Sequence, residues 1–255
     1  MSDSAKELYE IIGMVKEHMA FQRMCGLDEY PRGEKDTMSD ASVVGTKDHP
    51  LSIKTKGMTI AELKRPAVIN EVKESQIIDL SGSMKECNKC KLANERTKIV
   101  FGEGSLDADL VFVGEAPGRD EDESGRPFVG RAGKLLTKII MAMGLTREDV
   151  YIMNIVKCRP PGNRNPEADE IKTCEPYMLR QLDIIKPKII CTLGTFSSQT
   201  LLKSTVPISK IRGKFFDYYH GIKLMPTYHP AFLLRNAGKK KEVWEDMQLI
   251  MKELK

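Results

Sequence analysis

DLVFVGEAPGRDEDESGRPFVGRAGKLL, residues 109–136, is the stretch from which the fold can be read. Leu110-Val111-Phe112-Val113 is a short β-branched and aromatic run, which predicts a strand buried on both faces. It breaks at Gly114-Glu115-Ala116-Pro117-Gly118, where two glycines and a proline permit a tight turn and a close backbone approach. Asp120, Glu121, Asp122 and Glu123 then read as an acidic loop, followed by Gly125-Arg126-Pro127-Phe128-Val129-Gly130. Leu135, Leu136, Ile139 and Ile140 fall at helical spacing, so a helix starts near Ala132. An ordinary βα connection takes about two to six residues, and this one is about three times longer. A long glycine-rich loop at the carboxyl end of a strand is where open α/β sheets place ligands.

Working outward, Val150 to Ile155 reads as a second strand ending near Asn154, with a loop over Lys157–Asn165. A helix from Glu167 to Ile185, a strand from Lys188 to Leu193 and a short helix from Phe196 to Lys203 follow. Ile222 to Pro226 is a fourth strand leading into Tyr228-His229-Pro230, and Trp244 to Leu254 is the last helix. Strands alternating with helices predict a mostly parallel sheet covered on both faces. Toward the N-terminus, Ser4 to Met24 reads as an amphipathic helix. Ser4 and Glu7 form a capping box, and Leu8, Ile11, Ile12, Val15 and Met19 share one face. Residues 26–58 read as a polar linker, and Lys64 to Val72 as a short strand or a further linker turn. The expected division is therefore an N-terminal extension over 1–75 and one folded domain over 76–255.

The chain has 41% hydrophobic and 30% charged residues, within reach of a globular protein. No run approaches the ~18 apolar residues of a membrane span. MSDSAKELYE lacks the apolar core of a signal peptide, so a cytoplasmic location is expected. Residues 1–75 hold 11 Lys/Arg and 13 Asp/Glu, net −2, which leaves +6 on residues 76–255 of the total +4. A mildly basic C-terminal part suits a polyanion but does not by itself require one.

Of the six cysteines, Cys191 sits in the apolar run Ile189-Ile190-Cys191-Thr192-Leu193 and reads as core, while Cys25 reads as a free thiol in the extension. Cys87-x2-Cys90 can chelate from a single turn, and Cys158 and Cys174 flank a Pro-Pro loop and a helix. Disulfides are not expected in a reducing compartment. Four thiolates at this spacing suit either structural zinc or an iron–sulfur cluster.

Three ordered segments carry a family resemblance: GEAPGRDEDESGRPFVGRAGKLL at 114–136, YIMNIVKCRPPGNRNP at 151–166 and PTYHPAFLLR at 226–235. Together with the four cysteines they resemble the family 4 uracil-DNA glycosylases, the iron–sulfur branch of that superfamily, from about Glu86 to the C-terminus. The resemblance implies a three-layer αβα fold around a four-stranded, mostly parallel sheet. It implies a 4Fe–4S cluster on Cys87, Cys90, Cys158 and Cys174, with a structural role. It also implies an enzyme that flips uracil out of single- or double-stranded DNA and hydrolyses its N-glycosidic bond; no residue is placed as a Schiff-base lysine, so a monofunctional enzyme is expected, acting as a monomer.

By the same resemblance, Asn154 reads the base, because its amide offers an acceptor and donors matching the N3 and O4 edge of uracil. Phe128 supplies an aromatic face for the flipped base, and Ala116 and Pro117 bring backbone close to it. His229 stands beside uracil O2, where imidazole stabilises the leaving anion. Ala116 occupies the place of the water-activating aspartate of the main uracil-DNA glycosylase family, so Glu115 and Glu121 are the acid–base candidates. Asp120, Asp122 and Glu123 read more simply as a solvated acidic face. Leu233, Leu234 and Arg235 are expected to supply an apolar wedge and a phosphate contact in the minor groove. Lys210, Arg212 and Lys214 read as phosphate contacts or as a solvated basic turn. Ile208–Lys214 contains no His, which argues against covalent trapping. Two rival readings are a nucleotide- or flavin-binding α/β protein, against which Gly102-x-Gly104 precedes the strand it should follow and no Gly-Lys-Ser/Thr loop occurs, and a non-catalytic iron–sulfur nucleic-acid-binding protein. The second would need neither Asn154 nor His229 at strand ends.

Overall fold

A computed structural model describes residues 66–255. In chain order the helices are α1 (Pro66–Met84), α2 (Arg119–Ser124), α3 (Arg131–Ala142), α4 (Ala168–Ile185), α5 (Thr195–Leu202), α6 (Ile208–Ile211), α7 (Pro230–Arg235) and α8 (Lys240–Glu253). The strands are β1 (Glu103–Gly104), β2 (Leu110–Gly114), β3 (Tyr151–Asn154), β4 (Ile189–Leu193), β5 (Phe216–Tyr218) and β6 (Ile222–Thr227). The helix expected over 4–24, the linker over 26–58 and Cys25 lie outside the described residues.

The strands form one sheet in the order β1-β3-β2-β4-β6-β5. The inner four are parallel, with Val111 opposite both Tyr151 and Ile190, and Ile190 opposite Leu224. This inner sheet is the four-stranded one that the sequence predicts. Two short antiparallel strands, β1 and β5, extend it at the edges. They escape a periodicity reading because two or three residues cannot display alternation.

Alternation along the buried strands builds the two faces. Val111, Val113, Tyr151, Met153, Ile190 and Leu224 pack with Met178 and Leu182 of α4 and Leu201 of α5. Leu110, Phe112, Ile152, Cys191 and Met225 pack with Leu136 and Ile140 of α3 and Met247 and Ile250 of α8. Covered on both sides, these strands carry near-continuous apolar runs, and the layers are helix, sheet and helix.

Two expectations are corrected. Of the strand or linker turn expected over Lys64 to Val72, the described part, Pro66 to Val72, is helical, since α1 begins at Pro66 and runs through residue 75, the expected boundary, to Met84. Ile77, Leu80 and Met84 fall at helical spacing, but Ile78 beside them is exposed, so the apolar period is weak in the sequence. Lys73 ties α1 down by donating to Asp107 and to the backbone oxygens of Leu106 and Ile185. The acidic loop is also not a loop. Arg119–Ser124 is a helix capped by Gly125 at φ 78°, and Asp122 is buried, accepting from the amides of Thr97 and Lys98.

Candidate active site

The parallel strands end side by side, and a cleft of about 630 Å³ opens at their carboxyl ends. β2 delivers Glu115, Ala116, Pro117 and Gly118, β3 delivers Asn154, and β6 leads into His229. Phe128 enters from the loop before α3, and Arg235 from the end of α7. Residues separated by more than a hundred positions thus meet because parallel strands put their carboxyl ends on one edge.

Asn154 is 1% exposed, and its Oδ1 has no hydrogen-bond partner. A buried amide oxygen without a donor is rare, and it is satisfied by any group that brings an N–H into the cleft. The residue is anchored through its backbone oxygen, which accepts from Lys157 Nζ at 2.9 Å. Lys157 is itself fully buried, and burial pulls its ammonium down to about 7, against the opposing pull of the Cys174 thiol.

Phe128 is almost entirely buried and has φ 53°, in the left-handed region. Its ring centroid lies 5.7 Å from that of His229, tilted by 34°. A Cβ on Gly114 would stand 2.3 Å from Asn154 Oδ1 and 2.5 Å from Phe128 Cζ, so only glycine lets both side chains reach the end of β2.

His229 Nδ1 accepts from the Ala231 amide at 3.0 Å, so Nδ1 is unprotonated. Burial, reinforced by the nearby Arg235 charge, pulls the imidazole pKa down to about 4. The ring is therefore neutral at physiological pH and carries its proton on Nε2, as a fixed donor. Glu115 is half-buried, and desolvation pushes its carboxyl up to about 6. Glu121 also lines the cleft, but its Oε1 accepts from the amides of Val129 and Gly130 at 2.9 and 3.0 Å. Of the two acids, Glu115 is the one not engaged in holding its own loop.

The residues expected to meet DNA separate into two groups. Lys210, Lys214, Leu234 and Arg235 are exposed. Leu233 is not: at 1% exposure it packs in the core beneath α7 and cannot enter a groove. Arg212 is likewise committed, because its guanidinium grips Asp246 through Nε at 3.1 Å and through Nη2, and also bonds the Glu242 backbone oxygen. Asp246 is 1% exposed, and Thr227 Oγ1 donates to it at 2.6 Å. A basic residue in a turn looks like a phosphate contact until a buried acid two helices away claims it.

Cys158 and Cys174 are buried, Cys87 and Cys90 half-buried, and all four are free thiols. Burial raises Cys158 and raises Cys174 to about 11, and further upward pressure on each comes from Cys90 and a second member of the group, which puts the four within electrostatic reach. Arg96 Nη1 donates to Cys158 Sγ at 3.5 Å, and the Lys157 amide to Cys174 Sγ at 3.3 Å. Positive and N–H partners aimed at sulfur suit thiolates bound to a metal centre. Among the described residues, no three His, Cys, Asp or Glu side chains converge as a single-ion site. Cys191 is fully buried in β4, as its sequence context predicts.

Arg131, Asn163, Arg164 and Asn165 also line the cleft, although the sequence alone does not single them out. Three of them lie within the second quoted segment, whose Gly162 and Asn163 adopt left-handed φ of 61° and 56°. Lys157, three residues beyond β3, was the plainer signal, since a lysine directly after the run Tyr151–Val156, apolar but for Asn154, has to be buried for a reason.

Residues 101–248 match the family described as the uracil DNA glycosylase superfamily. The chain is 48% identical over 183 residues to a type-4 uracil-DNA glycosylase of Saccharolobus solfataricus, covering 69% of this chain and 85% of that protein. It is 51% identical over 172 residues to the type-4 protein of Sulfurisphaera tokodaii, covering 64% and 78%. A type-5 uracil-DNA glycosylase of Pyrobaculum aerophilum is more distant, at 31% over 154 residues, covering 53% and 67%.

Proposed function

Because this chain belongs to the type-4 branch of the uracil-DNA glycosylase superfamily, we propose that the cleft excises uracil from DNA by hydrolysis, beginning base excision repair. The observation that carries the site assignment is Asn154 Oδ1, buried and without a partner at the end of β3. Uracil entering the cleft presents N3–H to that oxygen and O4 to the amide nitrogen. Cytosine presents an acceptor and an amino donor instead, which leaves the site's own groups unpaired. Phe128 stacks on the flipped base.

As the C1′–N1 bond breaks, its electron pair passes to the uracil ring, and negative charge grows on O2. His229 Nε2–H donates to that oxygen without having to lose or gain a proton. Glu115, as carboxylate, takes a proton from the water that attacks C1′, and its raised pKa suits a base working near neutrality. Glu121 assists by holding the loop that carries Phe128. The backbone of Ala116 and Pro117 closes the pocket against the base. Lys210, Lys214, Leu234 and Arg235 are the exposed candidates for contact with single- or double-stranded DNA.

Cys87, Cys90, Cys158 and Cys174 hold a 4Fe–4S cluster in this reading. When bound, it ties the end of α1 to the β3–α4 loop and to α4, a structural crosslink without a redox step. The enzyme works as a cytoplasmic monomer, with its catalytic domain over 76–255 and its leading helix reaching back to Pro66. Among the described residues no helix is long and apolar enough to cross a membrane.

The test is incubation of the purified chain with a uracil-containing oligonucleotide, followed by alkali to reveal abasic sites. Cleavage at uracil alone is expected. Asn154→Asp should lose most uracil excision, gain weak cytosine excision and keep its DNA affinity, which rests on phosphate contacts. Parental uracil excision by Asn154→Asp would remove Asn154 as the base reader.

A further inference from the structure

Arg147 stands outside the cleft lining and outside the three segments that resemble the family. It lies between α3 and β3 with its side chain 16% exposed. Its guanidinium donates from Nη2 to the Pro127 backbone oxygen at 2.7 Å and from Nη1 to the Phe128 backbone oxygen at 3.1 Å. It is aimed by Glu103 of β1, which accepts from Nε at 3.0 Å and Nη2 at 2.6 Å, and by Thr137 of α3, whose Oγ1 accepts at 3.1 Å. Burial works against a charged Glu103, but bonds from Arg126 and Arg147 outweigh it and hold the carboxyl below its usual range.

On the far side of Phe128, Glu121 holds the amides of Val129 and Gly130. The backbone around Phe128 is thus gripped at two carbonyls by one charge and at two amides by the opposite charge. Between them Phe128 keeps φ 53°, which an aromatic residue does not adopt unaided. Gly133 completes the fit, since a Cβ there would stand 1.8 Å from the Phe128 oxygen.

We infer that Arg147 is a positioning residue for base excision, holding Phe128 in its left-handed conformation so that the ring faces the flipped base. The inference rests on the reading of Phe128 as the base platform. Edge strand β1, absent from any periodicity in the sequence, has on this view the task of presenting Glu103 to Arg147.

The experiment is single-turnover excision from a uracil oligonucleotide by the full chain, with Arg147→Met, Arg147→Lys, Phe128→Leu and the Arg147→Met/Phe128→Leu pair. Misplacing a platform is expected to slow excision by about a hundred-fold in Arg147→Met. Arg147→Lys is expected to slow it as well, because a single ammonium cannot span both carbonyls and the Glu103 carboxylate. Affinity for undamaged DNA should not change in either. In the Phe128→Leu background, Arg147→Met should add less than about two-fold, since residues acting through one another are non-additive. Independent multiplication of the two effects would overturn the positioning role while leaving the platform intact. Phe128→Leu at the parental rate would overturn the platform and the inference with it. If Arg147→Met does not fold, Arg147→Lys decides: a folded lysine variant excising at the parental rate refutes the clamp.

Discussion

On one face of the sheet, Val111, Tyr151, Met153 and Ile190 lie under α4 together with Cys158 and Cys174. That face also carries the buried Lys157, and Gln181, whose Nε2 bonds Tyr151 Oη and the Phe101 oxygen while its Oε1 has no partner. On the other face, Leu110, Phe112, Ile152 and Cys191 lie under α3 and α8. Its buried acid, Asp246, is answered on the spot by Arg212 and Thr227. The second face closes with what the chain itself supplies. The first concentrates thiols, a buried lysine and an unpartnered acceptor, which in the proposed function a bound cluster would tie together. Asn154 ends a strand of the sheet between them, and the Lys157 bond to its backbone would link its proposed base-reading role to the thiol face.

The largest expected effect breaks the thiol face outright. Cys158→Ser should yield little soluble protein, because binding of the centre is coupled to folding, whereas Cys25→Ser should leave yield and colour unchanged. The parental protein should be brown from iron–sulfur charge transfer. A colourless anaerobic preparation with stoichiometric zinc would sink the cluster and this account of the thiol face. The matching cut on the other face is smaller. Arg212→Ala leaves Asp246 buried without its cation and should cost about 3–5 kcal/mol in urea unfolding while keeping the colour. A loss under about 1 kcal/mol would mean the ion pair does not close that face.

Within the cleft, His229→Ala should slow single-turnover uracil excision by about a hundred-fold, the effect of removing one donor to a developing anion. A change under about three-fold would show that the neutral imidazole does not meet the leaving base. The mildest effect is in pH. In the proposed mechanism Glu115 acts as carboxylate, and its pKa is raised to about 6, so the active form is lost as pH falls through that value. Excision should drop about ten-fold per unit below it, and Glu115→Gln should remove that limb along with most of the rate. His229, held near 4, adds no limb of its own around pH 6.5. A limb near 6.5 that persists in Glu115→Gln but vanishes in His229→Ala would reverse the two roles.

Reading the sequence worked where physics is local. The apolar runs of β2, β3, β4 and β6 could be read because strands buried on both faces need continuous apolar residues. The helix over Arg131–Ala142 showed itself in Leu135, Leu136, Ile139 and Ile140, and Gly114 marked a close approach that Asn154 and Phe128 do make. Reading failed where a partner distant in sequence decides the outcome. Arg212 looked like a surface cation, and Leu233 and Leu234 looked equivalent as a wedge, until helix packing buried one and left the other 47% exposed. Asp122 looked solvated, yet two amides from residues 97 and 98 claim its carboxylate.

The sequence by itself determined the alternating architecture, the four-cysteine set and the placement of Asn154, His229 and Phe128 at or after strand ends, because period, composition and turn chemistry are short-range properties of the chain. Only the tertiary structure decided which atoms of that set are available. It left Asn154 Oδ1 without a partner, set the tautomer of His229 through the Ala231 amide, left Glu115 rather than Glu121 free of its loop, and gave Arg147 the two carbonyls beside Phe128. Hydrogen-bond capacity and desolvation depend on what stands a few ångströms away in space, and no spacing along the chain encodes that.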